Sequence, residues 1–336
     1  MRRRSAEDGI SEVVGFVVIL AVVIAGLSLY LTYAVPVQGR EEEIKVMDGV
    51  RSWFVDYKTG VDQLWLNSPT TTDPDTSLLF KSTVKQVTLR RVIDTGTVRE
   101  KGFVGRFMPV LAPIPSSAEV SVGNIGNFTI SGWRNGIEVF NWKNATPALA
   151  YTSHNYYWLQ QEYYYQLGGV FLRQWGGGGG PDTENVTVIA APPFSIYDHS
   201  PEEGGTSYQT KVSLVVVNLT VPAGGFGSTS PIRVETRLNE DPARPDAGVG
   251  NPGYAEVSLQ FDGMSNETAL AWENMFAGVA ARNRVASNYT PHHSGHIAWI
   301  NITGGREDDL TTNDVLLEVL VANYSTRMGN VPTMIE

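Results

Sequence analysis

The stretch Arg2 to Val35, RRRSAEDGISEVVGFVVILAVVIAGLSLYLTYAV, decides how this chain is read. From Val13 to Val35 there are 23 residues without a charge, and fourteen of them are Val, Ile, Leu or Phe. At a rise of about 1.5 Å per residue, a helix of that length crosses a hydrocarbon layer of roughly 30 Å. Fourteen such side chains favour insertion by about 4 to 8 kcal/mol, which Glu12 at the edge does not outweigh. Arg2, Arg3 and Arg4 precede the segment and Glu41, Glu42 and Glu43 follow it. The positive-inside rule then keeps the N-terminus cytoplasmic and exports the rest. The expectation is a single-pass protein of the cell membrane with an extracellular ectodomain. A cleaved secretory signal would carry an apolar region of about 7 to 15 residues and a small-x-small site. This segment is longer, and Thr32-Tyr33-Ala34 is a poor site.

A short basic leader ends in Asp8-Gly9, and Ile10-Ser11-Glu12-Val13-Val14-Gly15-Phe16 opens the apolar helix. This arrangement resembles the class III signal of archaeal type IV pilins and of related exported surface proteins with large β-rich ectodomains. The resemblance covers the residues up to Val35. It implies a cut by a prepilin-type peptidase between Gly9 and Ile10, with the helix retained, and a helix N-terminal contact made by Glu12. Bacterial members place that Glu at the fifth mature position, whereas Glu12 would be the third, and many archaeal relatives lack it. The implied partners are membrane lipid, the peptidase and other pilin-like subunits.

Composition narrows the function further. The formal charge is -10, and the part beyond residues 1–9, which hold three Arg against Glu7 and Asp8, carries -11. An acidic ectodomain lacks the basic footprint that nucleic acid requires. With no cysteine there is no disulfide framework, thiolate ligand or thiol nucleophile. No cofactor is expected. The organisation reads as a leader over 1–9, an apolar helix and amphipathic stalk over 10–66, and a β-rich domain over 67–336, in one or two subdomains.

Pro36 removes a backbone donor and is expected to kink or end the membrane helix. Beyond it Met47, Val50, Phe54, Tyr57, Val61 and Leu64 recur at intervals of three and four, the seam of an amphipathic helix over Glu41 to Leu66. That seam packs either on its own β domain or on neighbouring subunits. Asn67-Ser68-Pro69 ends it.

From Leu78 the period changes to two, first over Val84 to Arg91, and strands dominate. Candidates include Gly102 to Met108, Glu119 to Val122, Asn127 to Ile130, Ile137 to Asn141, Tyr163 to Gln166, Val170 to Arg173, Val186 to Ala190, Tyr208 to Val221, Ile232 to Leu238, Ala255 to Phe261, Ile297 to Ile302 and Val315 to Val321. Asn135-Gly136 and Leu167-Gly168-Gly169-Val170 read as hairpin turns. The run Gly176 to Gly180 before Pro181 reads as a loop. One helix, Thr268 to Arg282, interrupts the strands, with a stripe of Leu270, Met275, Phe276 and Val279 and an N-cap at Ser265 or Asn266. The fold class is therefore mainly β: a long N-terminal helix, then an antiparallel β-sandwich-like ectodomain with one inserted helix.

Few residues point to chemistry. His292, His293 and His296 lie near Asp308 and Asp309 in sequence, but Pro291 and Gly295 put them on a loop without helical zinc spacing, so no metal site is expected. No nucleophile elbow occurs, and Glu202 and Glu203 fall in a loop, so no catalytic residue is assigned. Tyr151, Tyr156, Tyr157, Trp158, Tyr163, Tyr164 and Tyr165 form an aromatic cluster suited to strand packing or to stacking on sugars. Eight Asn-x-Ser/Thr sequons, at Asn127, Asn144, Asn185, Asn218, Asn266, Asn288, Asn301 and Asn323, are candidate N-glycosylation sites in the exported part. Together these readings give a non-enzymatic, membrane-anchored, pilin-like surface protein, a filament subunit or minor pilin. The alternative is a membrane-tethered module that binds carbohydrate or an envelope component.

Overall fold

The computed structural model describes residues 6–67, 87–97, 111–176, 183–199, 209–220, 224–228, 230–240, 242–245, 253–282, 289–303 and 315–331. Arg2 to Arg4, the strand expected over Gly102 to Met108, Gly177 to Pro181, Glu202, Glu203, Asn288, Asp308 and Asp309 lie outside these residues.

One continuous helix runs from Ala6 to Leu66 as α1 (Ala6–Leu29), a wide π turn (Tyr30–Ala34) and α2 (Val35–Leu66). Pro36 does not end it. The π turn just before it accommodates the proline: the Val35 N–H bonds five residues back to the Tyr30 carbonyl, and the widened backbone takes up the ring and missing donor of Pro36 inside a continuous helix. The seam of α2 is buried as its spacing requires, and it begins earlier than Met47, with Val35, Gly39 and Glu43. Asn67 closes the helix by donating from Nδ2 to the Gln63 carbonyl at 2.7 Å.

The head is built from β1 (Thr88–Ile93), β2 (Ser117–Arg134), β3 (Ile137–His154), β4 (Gln161–Gln166), β5 (Gly169–Trp175), β6 (Glu184–Ala190), β7 (Phe194–His199), β8 (Gln209–Thr220), β9 (Gly224–Ser228), β10 (Ile232–Leu238), β11 (Glu256–Asp262), β12 (Tyr289–Ser294), β13 (Ile297–Thr303) and β14 (Val315–Asn330). The helix α3 (Asn266–Arg282) is inserted before β12. One sheet has the order β1-β10-β14-β8-β7; the larger has β12-β13-β11-β2-β3-β4-β5-β6, with β9 also paired to β2. The pairs are antiparallel except β8 with β14, a parallel pair in the middle of the smaller sheet. Parallel strands need cover on both faces, and β8 has it: Val212, Leu214 and Val216 face one core, while Val215, Val217 and Leu219 face the other.

The first core lies around α3, where Trp272 stacks on Phe261 at 4.4 Å and on Phe171 at 5.6 Å, and Phe171 stacks in turn on Tyr164 at 5.1 Å. The second lies under α2: Phe54 faces Tyr163, and Tyr57 meets Tyr165 edge-on at 5.2 Å. The tyrosines of β4 therefore divide between the cores by the two-residue strand period. Leu270 faces outward instead of joining the α3 stripe; the buried face is Ala269, Trp272, Met275, Phe276 and Val279.

The segments Glu119 to Val122 and Asn127 to Ile130 are not separate strands. They belong to β2, which passes through Gly123 to Gly126 with a register shift against β3 between Asn124 and Asn127. Pro147 stands opposite Asn124 at that irregularity, where a missing ladder donor is tolerated. Both hairpin turns have positive φ at two successive residues, Asn135 and Gly136, then Leu167 and Gly168, as a type I′ turn requires.

Candidate functional site at the base of the head

Where the helix enters the head, a short loop from Asn155 to Gln160 grips it. Glu43 is 1% exposed, and its carboxylate accepts the backbone N–H of Tyr156 at 2.7 Å and of Tyr157 at 2.9 Å. A buried carboxylate needs such charge-assisted partners to offset its desolvation. One turn earlier Gly39 lies against the Tyr157 ring; a Cβ there would fall 2.3 Å from Tyr157 Cδ2. The Arg40 guanidinium stands 4.3 Å from the centre of the Trp158 ring. The Tyr157 hydroxyl accepts the Ile114 N–H at 3.1 Å, which joins the start of the β2 segment to the same collar.

Higher on the helix a polar chain is enclosed in the second core. The hydroxyls of Tyr57 and Thr236 lie 2.6 Å apart, those of Thr236 and Thr326 lie 3.0 Å apart, and Tyr324 donates to the Val61 carbonyl. Burial pushes the Tyr57 hydroxyl up to about 12, and the Tyr165 and Tyr324 hydroxyls upward as well. Beside it, α2 and the end of β1 enclose a groove of about 530 Å³ lined by Lys45, Val46, Trp53, Val92 and Asp94. The buried Trp53 Nε1 has no hydrogen-bond partner among the described residues.

The remaining sequence candidates fall apart in space. Tyr151, Tyr163, Tyr164 and Tyr165 are core residues, and of the aromatic cluster Tyr156 is the exposed member. The histidines are not on a loop as expected: His292 and His293 lie on β12, and His296 follows the positive-φ Gly295 in the β12–β13 turn. Pro291 misled the reading because an edge strand tolerates proline, and β12 is paired to β13 alone among the described strands. His293 Nδ1 is 2.6 Å from Glu273 and His296 Nε2 is 3.4 Å from Asp262, so each has its own carboxylate. Among the described residues no three His, Asp or Glu converge as metal ligands.

A half-buried ionic cluster caps α3. Arg173 bonds Glu162 at 2.6 Å and approaches Glu184 at 2.8 Å. Ser265 Oγ accepts the Thr268 N–H and donates to Glu184, which makes Ser265 the N-cap. Burial raises the Glu162 pKa against the pull of Arg173. The cluster fastens a helix start to β4, β5 and β6.

The sequons divide by environment. Asn185 and Thr187 are both exposed on β6, and Asn301 is exposed on β13. Asn266 is exposed, but Thr268 is buried in the N-cap. Thr146, of the Asn144 sequon, is buried and accepts Gln166 Nε2 at 2.9 Å. Asn218 and Asn323 are in register on β8 and β14, and Asn218 Nδ2 donates to Asn323 Oδ1 at 2.9 Å. The atom that would carry a glycan at Asn218 is thus engaged. Asn127 is half-buried on β2. Gly9, Ile10 and Glu12 lie in the first turns of α1.

The most apolar eighteen residues of the long helix have a mean hydropathy of 2.7 and none of them is buried, so this helix is a candidate membrane span. Compared with family models, curated proteins and solved structures, the chain finds no match.

Sequence reasoning found the seam of α2 but not Glu43. The signal that pointed to it was its place in the register, four residues before Met47.

Proposed function

We propose that this chain is a non-enzymatic, membrane-anchored surface protein of pilin-like design, in which one helix serves as both anchor and core element. The observation that carries the reading is the change along that helix. The apolar stretch of α1 has no protein cover, and α2, continuous with it, supplies a full side of a core. In water an uncovered apolar surface of this size is costly, and lipid or other such helices remove the cost. The proposed topology is single-pass with the N-terminus cytoplasmic and the β head extracellular. The proposed partners are membrane lipid, a prepilin-type peptidase acting between Gly9 and Ile10 and, in a filament, further copies or related subunits; nucleic acid is not among them. Glu12 would then pair with the new amino group at Ile10 on its own or a neighbouring helix. On the same proposal the protein is an archaeal glycoprotein, with Asn185 and Asn301, exposed on β6 and β13, as its best-placed sequons.

The test is N-terminal sequencing and intact mass of the membrane fraction. A mature chain starting at Ile10 supports the pilin-like reading. One that keeps Arg2 to Arg4 reduces it to a plain signal anchor, and recovery of the full chain in the soluble fraction overturns the anchor itself. The second reading, a tethered module for a carbohydrate or envelope ligand, has the groove beside Trp53 in its favour, with an apolar wall, Lys45 and Asp94 at its rim and an unused indole donor.

A further inference from the structure

We propose that Asn301 carries a seated glycan, whose first sugar lies on the Trp299 indole and clamps the edge hairpin of β12 and β13. This rests on the glycoprotein reading above and adds to it the surface that receives the sugar and what the contact does.

The first argument is register. Along β13 Ala298, Ile300 and Ile302 are fully buried in the first core, so Trp299, Asn301 and Thr303 turn to the opposite face. The ladders agree. Asn301 stands between Thr290 on β12 and Ser258 on β11, and Trp299 stands between His292 and Gln260, all of them exposed or half-buried. Residues two apart on one face of a strand are separated by about 7 Å, a gap that one sugar ring bridges.

The second argument is chemistry. Ser258 Oγ donates to Asn301 Oδ1 at 2.8 Å. An amide whose oxygen turns toward β11 turns its nitrogen toward β12, and Nδ2 is the atom that a glycan occupies in an Asn-x-Thr sequon. Trp299 leans to the same side, with its ring centre 5.7 Å from that of His292 on β12. A sugar ring has an apolar C–H face and a polar rim. An indole supplies the apolar surface for the first, and the hydroxyl of Thr290 stands beside the second.

The third argument is a contrast within the chain. The pattern Trp-x-Asn-x-Thr occurs twice, from Trp142 to Thr146 and from Trp299 to Thr303. On β3 it is closed: Trp142 packs on the first core, Asn144 stands opposite Phe128, and Thr146 is buried against Gln166. On β13 the same pattern faces outward. It also lies where a clamp is useful, because β12 is an edge strand paired to β13 alone among the described strands. A sugar resting on an indole that His292 buttresses ties the two strands together, and its bulk opposes pairing of that edge with another chain.

The test uses the full chain in the membranes of the cells that produce it. Glycopeptide mass spectrometry should find Asn301 occupied and Asn144 bare. Thr303→Ala removes the sequon but keeps Asn301 and its bond from Ser258, and it should speed hydrogen exchange of the β12 and β13 amides several-fold. Asn301→Gln should do the same. In Trp299→Leu those amides should exchange at the faster rate with or without the sugar, and Trp299→Tyr should restore the difference. A bare Asn301 beside an occupied sequon elsewhere overturns the proposal and leaves the glycoprotein reading standing; bare sequons throughout overturn both. If Asn301 is occupied but exchange is unchanged on loss of the sugar, or changes as much in Trp299→Leu as in the parent, the sugar does not rest on the indole and the clamp is wrong.

Discussion

The two halves of the long helix share one backbone and almost nothing else. From Val13 to Leu29 the sequence is apolar on every side, no position is distinguished from its neighbours, and every described side chain is exposed to the surroundings. From Val35 to Leu64 one side chain in three or four is buried, and those between are mostly polar or charged, with Val37 and Val55 among the exposed apolar exceptions. A uniform apolar surface is matched to a uniform apolar medium, whereas a stripe is matched to a surface of definite shape. The lesson is that α1 should tolerate substitution by size and α2 should not.

The largest expected effect tests that directly. Phe54 is fully buried between α2 and β4. Phe54→Ala should destabilise the head by about 3 to 5 kcal/mol through lost burial and an unfilled cavity. Leu20→Ala, in α1, should leave the melting temperature of the head unchanged in detergent or vesicles. Thermal unfolding followed by near-ultraviolet circular dichroism measures both. Equal losses at the two positions would mean that α1 packs on protein.

Alkali should separate the halves next. Between Val13 and Leu29 no side chain titrates, while α2 contributes Tyr57, held by burial at about 12 against an ordinary 10.0. Below pH 10 both folded and unfolded chains keep this proton, and the stabilisation is fully present. Between pH 10 and 12 the unfolded chain releases a proton that the fold retains, so stability falls as pH rises, by up to about 3 kcal/mol for a shift of this size. Tyr151, also pushed up to about 12 by burial, acts in the same direction. Because Tyr33 and Tyr156 are exposed, the difference in phenolate absorbance between the parent and Tyr57→Phe isolates the enclosed group. That component should appear together with loss of the head's tertiary signal, and its appearance near pH 10 in an intact head would contradict the enclosed cluster.

Glu43 marks the boundary between what could and could not be read from sequence. The intervals from Met47 to Leu64 specified a buried helix face, because apolar side chains at those spacings have no other economical placement. Glu43 continues the register, yet a carboxylate in a seam reads as the end of the seam. Its partners are backbone N–H groups, which carry no trace in residue identity. For the same reason the collar was invisible: it joins Gly39 and Glu43 of α2 to Ile114 and Tyr157 across three separate stretches. In the sheets, Gly123 to Gly126 looked like a break because β2 crosses a register shift there, and β3, which pairs with it on both sides, reveals that the strand continues. The alternation in β8 was legible as a strand but not as a two-sided one, since both faces are apolar. Removing the collar's acceptor with Glu43→Ala should cost about 2 to 3 kcal/mol, as two N–H groups lose a charged partner, and should speed hydrogen exchange at Tyr156 and Tyr157 ahead of the sheet amides.

The smallest effect, and the sharpest contrast, is expected from two glycines of the same helix. Around Gly26 there is no atom within 4 Å of an added Cβ, whereas at Gly39 that Cβ would meet three atoms of the Tyr157 ring between 2.3 and 2.9 Å. The ring cannot simply swing aside, because its hydroxyl holds the Ile114 N–H. Alanine in place of glycine gains up to about 1 kcal/mol of helix propensity, and overpacking at a closed site costs about 1 to 3 kcal/mol. Gly39→Ala should therefore come out near 1 kcal/mol destabilising, a fall of about 2 to 4 °C in melting temperature, with faster exchange at the Ile114 amide as the specific sign that the ring has moved. Gly26→Ala has no such opponent and should leave both the head and that amide unchanged. If Gly39→Ala stabilises the protein instead, the loop yields where the geometry says it is fixed, and the collar is a loose contact. If Gly26→Ala destabilises the head, α1 is in contact with protein, and the division of the helix into a lipid-facing half and a core-building half does not hold.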